Sequence, residues 1–329
     1  MRQDTLTATT IVPCPVPLLR ARDVTHPDRW LGRGEIVRVA RGIYAPAPLW
    51  RALTPWDRYL ARVHAASLTY PDAVFCHEAG AALRGLPVFG EPAYVHLILA
   101  KDATARVVGD VRIHTAVIPR DAPEQNGLLV SAVADIAVDL ARSRHPAIGL
   151  AVADAALRVD PSLTRETLMG VNEERTSSRG RRLARWPLAR ATPEAESPFE
   201  SVSRAAVEWL GFPSPVLQAS FVGPHGKEDR VDFWWPDERV AGEADGDLKY
   251  DGRFGEPVEL LRGRRQRDVR LLEYGIRATA HWAWRDALAG DPLRAALGAA
   301  GLRPIRPAEP GQLYGLRRLG AEPHPARLH

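Results

Sequence analysis

Two periodicities alternate along the chain, and together they predict a mixed α/β protein. Apolar positions spaced three and four residues apart predict helices over residues 56–68, 78–86, 129–142 and 147–158. Alternating apolar and polar positions predict strands over residues 94–100 and 111–117. We therefore expect a central α/β domain over residues 51–170.

The pattern ahead of this domain is a short helix followed by a β-hairpin. Apolar positions 36, 37 and 39 precede a turn at Arg41–Gly42, and positions 43 and 44 follow it. A helix and a hairpin form the back half of a winged helix-turn-helix, so residues 1–50 are predicted to be a partial winged-helix-like module. Seven arginines face three acids between Arg20 and Arg51. We expect Arg38 and Arg41 to contact DNA phosphates. The alternative is an ordinary solvated hairpin.

Residues 171–195 are rich in Ser, Arg and Pro and separate the central domain from the remainder. Two glutamates are followed by six arginines between Arg175 and Arg190. The segment is predicted to be a basic linker, or a helix that continues from the preceding domain.

Beyond the linker the pattern predicts helix, three strands, helix and strand. The helix begins at Ser197-Pro198, the three strands cover 216–222, 230–236 and 239–245, and a second helix over 258–274 precedes a strand at 276–284. The short turn after Pro236 implies that the second and third strands pair in antiparallel fashion. We assign residues 196–302 to a domain with an αβββαβ core and residues 303–329 to a Pro-rich tail.

This core carries a cluster of acids. Glu243 and Asp245 are two residues apart on one strand, so both side chains leave the same face, and Asp232 on the paired strand can lie opposite them. Three such carboxylates repel one another unless a cation lies between them. They are the hard oxygen ligands that Mg²⁺ or Mn²⁺ prefers, and such an ion activates water for attack on a phosphodiester. Lys249 is positioned to assist.

Each acid also has a structural interpretation. Asp245 can shape the turn that follows, Glu200 fits a capping box with Ser197, and Asp232 can be an outward polar residue. The helix after the acids carries Arg264, Arg265 and Arg267, which we expect to grip phosphates; solvated surface arginines are the alternative.

The most informative feature of the composition is which basic residue dominates. The 44 basic residues include three lysines, so the positive charge is mostly arginine, which suits phosphate but also follows from a GC-rich genome. Cys14 and Cys76 show no metal-ligand spacing, and four histidines of the central domain are assigned structural roles: His64, His77, His96 and His114. The Pro-broken N-terminal run is not a signal peptide, and no run is long enough to span a membrane. We expect a cytoplasmic protein.

The segments ESPFES, RVDFWWP, VAGEADGDLKY, RGRRQRDVRLLEYG and HWAW resemble the PD-(D/E)XK nuclease superfamily, in the branch of the very-short-patch-repair endonuclease. The resemblance covers about a third of the chain. It implies a restriction-endonuclease-like fold in which Asp232 and Glu243 bind metal and Glu200 is the helix-borne acid. The superfamily usually has lysine two residues after the second acid, where this chain has Asp245, so Lys249 would act from another position.

The segments GEIVRVARGIYAP and CHEAGAALRGLPVFG resemble the AbiEi group of type IV toxin–antitoxin antitoxins. That resemblance implies a DNA-binding repressor that opposes a nucleotidyltransferase toxin encoded nearby. We therefore expect a DNA-interacting defence or toxin–antitoxin protein with a Mg²⁺-dependent endonuclease-like domain. The alternatives are a non-catalytic DNA-binding regulator with a degenerate nuclease fold and, with less support, a protein-interaction scaffold.

Overall fold

The computed structural model of the chain describes residues 11–99, 104–115, 122–223, 226, 228–245 and 257–321, with the backbone alone for residues 257–264 and 320–321. The described residues confirm a mixed α/β protein with three sheets. They fall into two compact units. Unit 1 contains the described residues up to 143 together with residues 159–185, and unit 2 contains residues 144–158 and the described residues of 186–322.

Unit 1 begins with a three-stranded sheet of order β1-β3-β2 and its helices. The elements are β1 (Leu19–Arg20), α1 (Pro27–Gly32), β2 (Ile36–Ala40), β3 (Ile43–Pro46), α2 (Ala47–Ala52) and α3 (Pro55–Ser67). The predicted hairpin is confirmed, and its turn uses Gly42 at a φ of +72°, which an L side chain rarely adopts. Val39 and Ile43 pack against Ala61 and Ala65 of α3. The apolar side chains on one face of the hairpin therefore form a core with this helix.

A six-stranded sheet of order β6-β7-β5-β4-β9-β8 forms the rest of unit 1. Its strands are β4 (Val74–Phe75), β5 (Val95–Ile98), β6 (Arg106–Val108), β7 (Val111–His114), β8 (Glu124–Gln125) and β9 (Leu128–Val130). The further helices of unit 1 are α4 (His77–Leu83), α5 (Val133–Ser143) and α7 (Arg165–Glu174). Helix α6 (Pro146–Val159) lies in unit 2 except for its last residue, and α8 (Arg181–Arg190) crosses the division at residue 185. Starting the predicted helix at residue 129 was wrong, because Leu129 and Val130 pair with β4 as a parallel strand.

Unit 2 follows the predicted order of elements closely. Its elements are α9 (Pro198–Trp209), β10 (Val216–Val222), β11 (Glu228–Trp235), β12 (Val240–Ala244), α10 (Pro257–Glu273), β13 (Ala278–Trp282), α11 (Trp284–Ala289), α12 (Asp291–Ala299) and α13 (Pro310–Ala321). The sheet order is β10-β11-β12-β13. The first three strands are antiparallel, and β13 pairs with β12 in parallel after the crossover through α10.

The sheet of unit 2 is packed on both faces. On one face Phe233 and Trp235 are fully buried, and Trp282 donates its indole N–H to Ser203 Oγ of α9 at 2.9 Å. On the other face Val231 and Ala241 pack against Leu271 of α10. The sheet is therefore enclosed between α9 and α10, and the α10 face is the one that carries the polar site.

Two segments of low apolar content contain helices. Residues Arg181–Arg190 form α8, which supports the helical alternative for the predicted linker, and the Pro-rich end contains α13. Among the helices that the structure describes, none combines the length and apolar character of a membrane-spanning segment.

Candidate functional site

Asp232 and Glu243 lie on neighbouring strands where β11 and β12 separate. The ladder pairs Phe233 with Gly242 and Trp234 with Ala241. Glu243 is two residues beyond Ala241 on β12 and therefore shares the face on which Ala241 packs against α10. The backbone N–H of Ala244 donates to Asp232 Oδ2 at 2.9 Å. The Asp232 carboxylate thus accepts the hydrogen bond that a backbone carbonyl of β11 would accept in a regular ladder.

Glu243 is a buried carboxylate, 6% exposed, and it is ion-paired. The Arg267 guanidinium of α10 lies 2.8 Å from Glu243 Oε1, and Arg267 also donates to the backbone carbonyl of Arg230. Burying a carboxylate is costly unless a positive charge is close, and Arg267 supplies that charge. Arg267 was predicted to contact phosphate; in this structure it forms an ion pair with one of the clustered acids, Glu243.

Asp245 is brought to a histidine that the sequence interpretation did not single out. Asp245 Oδ2 lies 2.9 Å from His281 Nδ1, and Asp268 Oδ1 of α10 lies 3.1 Å from His281 Nε2. The parallel register pairs His281 with Glu243, which puts the histidine on the same face as the acids. The sequence pattern could have predicted this position. Ala280 and Trp282 are buried apolar residues, so alternation along the strand puts His281, which lies between them, on the opposite face.

Glu200 joins α9 to the first strand of the sheet. Ser197 Oγ donates to Glu200 Oε1 at 2.7 Å and accepts from the Glu200 N–H at 3.2 Å, which is the predicted cap. Gln218 Nε2 of β10 also donates to Glu200 Oε2 at 2.7 Å. Gln218 has a φ of +52°, and the β10–β11 ladder omits the step between Gln218 and Asp232. Glu200 thus reaches the distorted part of the sheet beside Asp232.

The remaining predicted site residues are placed as follows. Lys249 lies outside the described residues, and so does the side chain of Arg264. Arg265 is exposed on α10. In unit 1, Arg38 on β2 and Arg41 in the hairpin turn are both exposed. Their exposure agrees with either of the alternatives stated for the hairpin.

The carboxylates fit a divalent cation in chemistry, although not at ligand distance in their present conformation. Asp232 and Glu243 offer hard oxygen donors where β11 and β12 separate. Among the described residues, three potential ligand atoms lie within 4.8 Å of one another at a different place in the chain. They belong to Cys76, His77 and His114. Because Arg267 balances Glu243, a cation binding there would exchange with the Arg267 side chain.

The three histidines His77, His96 and His114, which had been assigned structural roles, meet in unit 1. The rings of His77 and His114 are stacked with centroids 4.4 Å apart, and His96 Nδ1 lies 2.9 Å from His114 Nε2. Burial lowers the pKa of His77 to about 4, against the opposing effect of Asp139. Sequence spacing did not reveal this cluster, because its members come from α4, β5 and β7.

Comparison with known proteins found two proteins that are similar to this chain over most of its length. No family model matches it. The uncharacterized proteins MT2308 of Mycobacterium tuberculosis strain CDC 1551 / Oshkosh and Rv2248 of strain ATCC 25618 / H37Rv are each 34% identical over 251 residues. The matched region covers 75% of this chain and 86% of each relative. With identity maintained over that length, the chain belongs to the same protein family as these two mycobacterial proteins.

Proposed function

We propose that the chain is a DNA-interacting protein whose unit 2 is a PD-(D/E)XK-type nuclease domain dependent on Mg²⁺ or Mn²⁺. One observation carries the proposal. Asp232 and the buried Glu243 lie close together where β11 and β12 separate: Asp232 Oδ2 accepts from the N–H of Ala244, the residue after Glu243, and Glu243 is paired with Arg267 of α10. The order α9-β10-β11-β12-α10-β13 supports it, because this is the αβββαβ order that the sequence resemblance implies.

The residues divide the work as follows. Asp232 and Glu243 would hold the cation, which when bound supplies a Lewis acid and an activated water. Arg265 and Arg267 would bind the phosphates that flank the scissile bond, and Arg267 becomes available for this when it leaves Glu243. Asp245 and Asp268 each bond one ring nitrogen of His281, which fixes the imidazole as a positioned donor on the same face. Glu200 and Gln218 would position the strand that carries Asp232.

The test is cleavage of supercoiled plasmid by the purified chain with Mg²⁺ or Mn²⁺. Activity is expected to fall at least about 100-fold in Asp232→Asn and in Glu243→Gln, because each change removes a charged ligand. Asp237→Asn is a matched control, since Asp237 is an exposed acid in the turn between β11 and β12. Equal nicking by the wild type, both site variants and the control would assign any cleavage to a contaminant and reject the enzymatic proposal.

A specific observation also favours a second function, that of a non-catalytic DNA-binding regulator or antitoxin. Arg267 already neutralises Glu243, and Asp245, bonded to His281, occupies the place of the superfamily's lysine. In unit 1, the sheet β1-β3-β2 with its neighbouring helices supports a winged-helix-like module, with Arg38 and Arg41 exposed on the hairpin. On this proposal the acidic face is structural, and the partner is a nucleotidyltransferase toxin encoded nearby.

Binding to the promoter of its own gene tests this second function. We expect retarded migration of that promoter fragment, weakened at least about 10-fold in the Arg38→Ala/Arg41→Ala variant, since each arginine makes a phosphate contact. Arg303→Ala/Arg318→Ala removes two exposed arginines of unit 2 and is the charge-matched control. Equal binding by the Arg38→Ala/Arg41→Ala variant and the control would remove the hairpin from DNA recognition.

A further inference from the structure

A second cluster of chemically active side chains lies in unit 1, far from the carboxylates in sequence. Cys76 and His77 connect β4 to α4, His96 lies on β5, and His114 is the last residue of β7. The Cys76 N–H donates to the His96 carbonyl at 3.2 Å, which ties the start of α4 to the sheet. Strands β5 and β7 run in parallel with Ile98 paired to His114, so His96 and His114 share one face of the sheet.

The ligand atoms of three of these residues converge. Cys76 Sγ, one ring nitrogen of His77 and one of His114 all lie within 4.8 Å of one another. The separation between Cys76 Sγ and His77 Nδ1 is 3.4 Å. In a tetrahedral zinc site with ordinary Zn–S and Zn–N lengths, neighbouring sulfur and nitrogen ligands are about 3.5 Å apart. The pair is therefore already at the spacing that a shared zinc ion requires.

The surroundings supply the outer contacts that a metal site needs. His96 Nδ1 lies 2.9 Å from His114 Nε2, and its other ring nitrogen lies 3.6 Å from Glu78 Oε2, so an imidazole and a carboxylate stand behind His114. The contacts of His96 and Glu78 are of the kind that orient the histidine ligands of metals and raise their basicity. Asp139 Oδ2 of α5 is 3.7 Å from His77 Nδ1, the same nitrogen that faces Cys76 Sγ, so Asp139 lies on the ligand side of that ring.

We infer that Cys76, His77 and His114 form a zinc site in unit 1, with Asp139 as the carboxylate that completes it. One sulfur and two imidazole nitrogens form a borderline-soft donor set that suits Zn²⁺ and excludes Mg²⁺, which prefers oxygen. A structural ion here would join α4 and α5 to β7, the strand that ends at His114. The site is separate from the acidic face of unit 2 in residues and in chemistry.

Metal content and the ligand spectrum of the purified full-length protein test this inference. We expect about one equivalent of zinc to remain after dialysis, and the zinc X-ray absorption of the wild type to contain one sulfur and two imidazole scatterers. Cobalt added to the metal-free protein should give tetrahedral absorption bands with a thiolate-to-cobalt transition. These wild-type readouts hold even if a ligand variant fails to fold.

Variants assign the ligands. Cys76→Ser and His114→Ala are expected to lower zinc affinity at least about 100-fold, and Glu78→Gln about 10-fold, because loss of an outer contact alone costs about 10–100-fold. Cys14→Ser removes the other free cysteine and should leave the zinc content unchanged. The double variant Asp232→Asn/Glu243→Gln should also keep its zinc, which distinguishes this site from the proposed nuclease site. Protein without stoichiometric zinc, or zinc without a sulfur ligand, would overturn the inference.

Discussion

At Gly242 the absence of a side chain sets how closely the aromatic residues of unit 2 approach the sheet. A Cβ built at this position would lie 2.7 Å from Trp282 and 3.0 Å from Trp235, which is closer than van der Waals contact allows. Both indoles are almost fully buried, so neither has space to move away. Glycine is required here by packing, and not by backbone conformation.

Gly242→Ala is therefore expected to destabilise the protein by about 1–3 kcal/mol, the usual cost of overpacking a core. Urea unfolding followed by tryptophan fluorescence measures this free energy of unfolding. Gly298→Ala, on α12, is the control, since nothing lies within 4 Å of its added Cβ and alanine favours helix. A variant at position 242 as stable as the wild type would show that the indoles repack.

His145 gives unit 2 a dependence on pH. It precedes α6, its Nδ1 accepts from the Ala147 N–H at 3.3 Å, and burial lowers its pKa below 6.5. Because the folded pKa is depressed, the unfolded chain binds a proton first as the pH falls. The stability contributed by the neutral ring is thus complete above about pH 6.5 and declines as the pH falls through the folded pKa.

Replacement by asparagine separates this effect from other titrations. Asn caps a helix without titrating, so His145→Asn should keep the cap and lose the acid-side decline. Urea unfolding of wild type and variant between about pH 8 and pH 5 gives the difference in unfolding free energy. We expect that difference to shift in favour of the variant as the pH falls; parallel curves would contradict the assignment to His145.

At the scale of elements, α6 and α9 are joined by a buried charge pair. Asp154 of α6 has no exposed surface, and Arg204 of α9 donates to both of its carboxylate oxygens, at 3.0 and 2.8 Å. Ser201 and the Thr192 N–H complete the acceptor bonds of Asp154. Burial raises the pKa of Asp154, and the contacts with Arg204 oppose that rise.

Removing one partner should cost more than removing both. Arg204→Met leaves a buried carboxylate without its cation and is expected to destabilise the protein by about 3–5 kcal/mol. The double variant Arg204→Met/Asp154→Leu removes the uncompensated charge, so its free energy of unfolding should lie above that of the single variant. Calorimetry or urea unfolding of the cycle decides this, and additive losses would mean that the two side chains do not interact.

At the scale of the whole molecule, the zinc inference predicts where a chelator acts. Removing zinc should raise amide hydrogen exchange in α4 and β7, because the ion links these elements in unit 1. Peptides of β11 and β12 in unit 2 serve as the internal control and should exchange unchanged. Equal effects of the chelator on both sets of peptides, or none on either, would contradict a localised site.

The elements of unit 2 were predictable because each is long enough to show its own period. The boundaries of α9, β10 and β12 agree with the sequence prediction to within about two residues. Short strands were not predictable in the same way: Leu129 and Val130, two of the three residues of the strand Leu128–Val130, were assigned to a helix because so short an apolar run fits either period. Pairing with β4 decides its structure, and that pairing is not local information.

The sites show the same division between local and distant information. The proximity of Asp232 to the residues around Glu243 follows from the short turn between their strands, which is local information. The contacts of Glu243 with Arg267 and of Asp245 with His281 depend on a crossover helix and a parallel strand, so the sequence pattern did not contain them. The cluster of Cys76 with His77 and His114 depends on three elements, and spacing along the chain carried no sign of it.

The pair between Arg267 and Glu243 has a consequence for the salt dependence of the proposed DNA binding. A guanidinium that is committed to a carboxylate 2.8 Å away displaces no counterion from a phosphate. Glu243→Gln would release Arg267, and each added phosphate contact steepens the slope of log K against log salt concentration by about 0.9. The variant should therefore bind DNA more tightly at low ionic strength and lose that advantage as salt rises. The difference in slope between the wild type and Glu243→Gln would then show whether Arg267 pairs with Glu243 or with a phosphate.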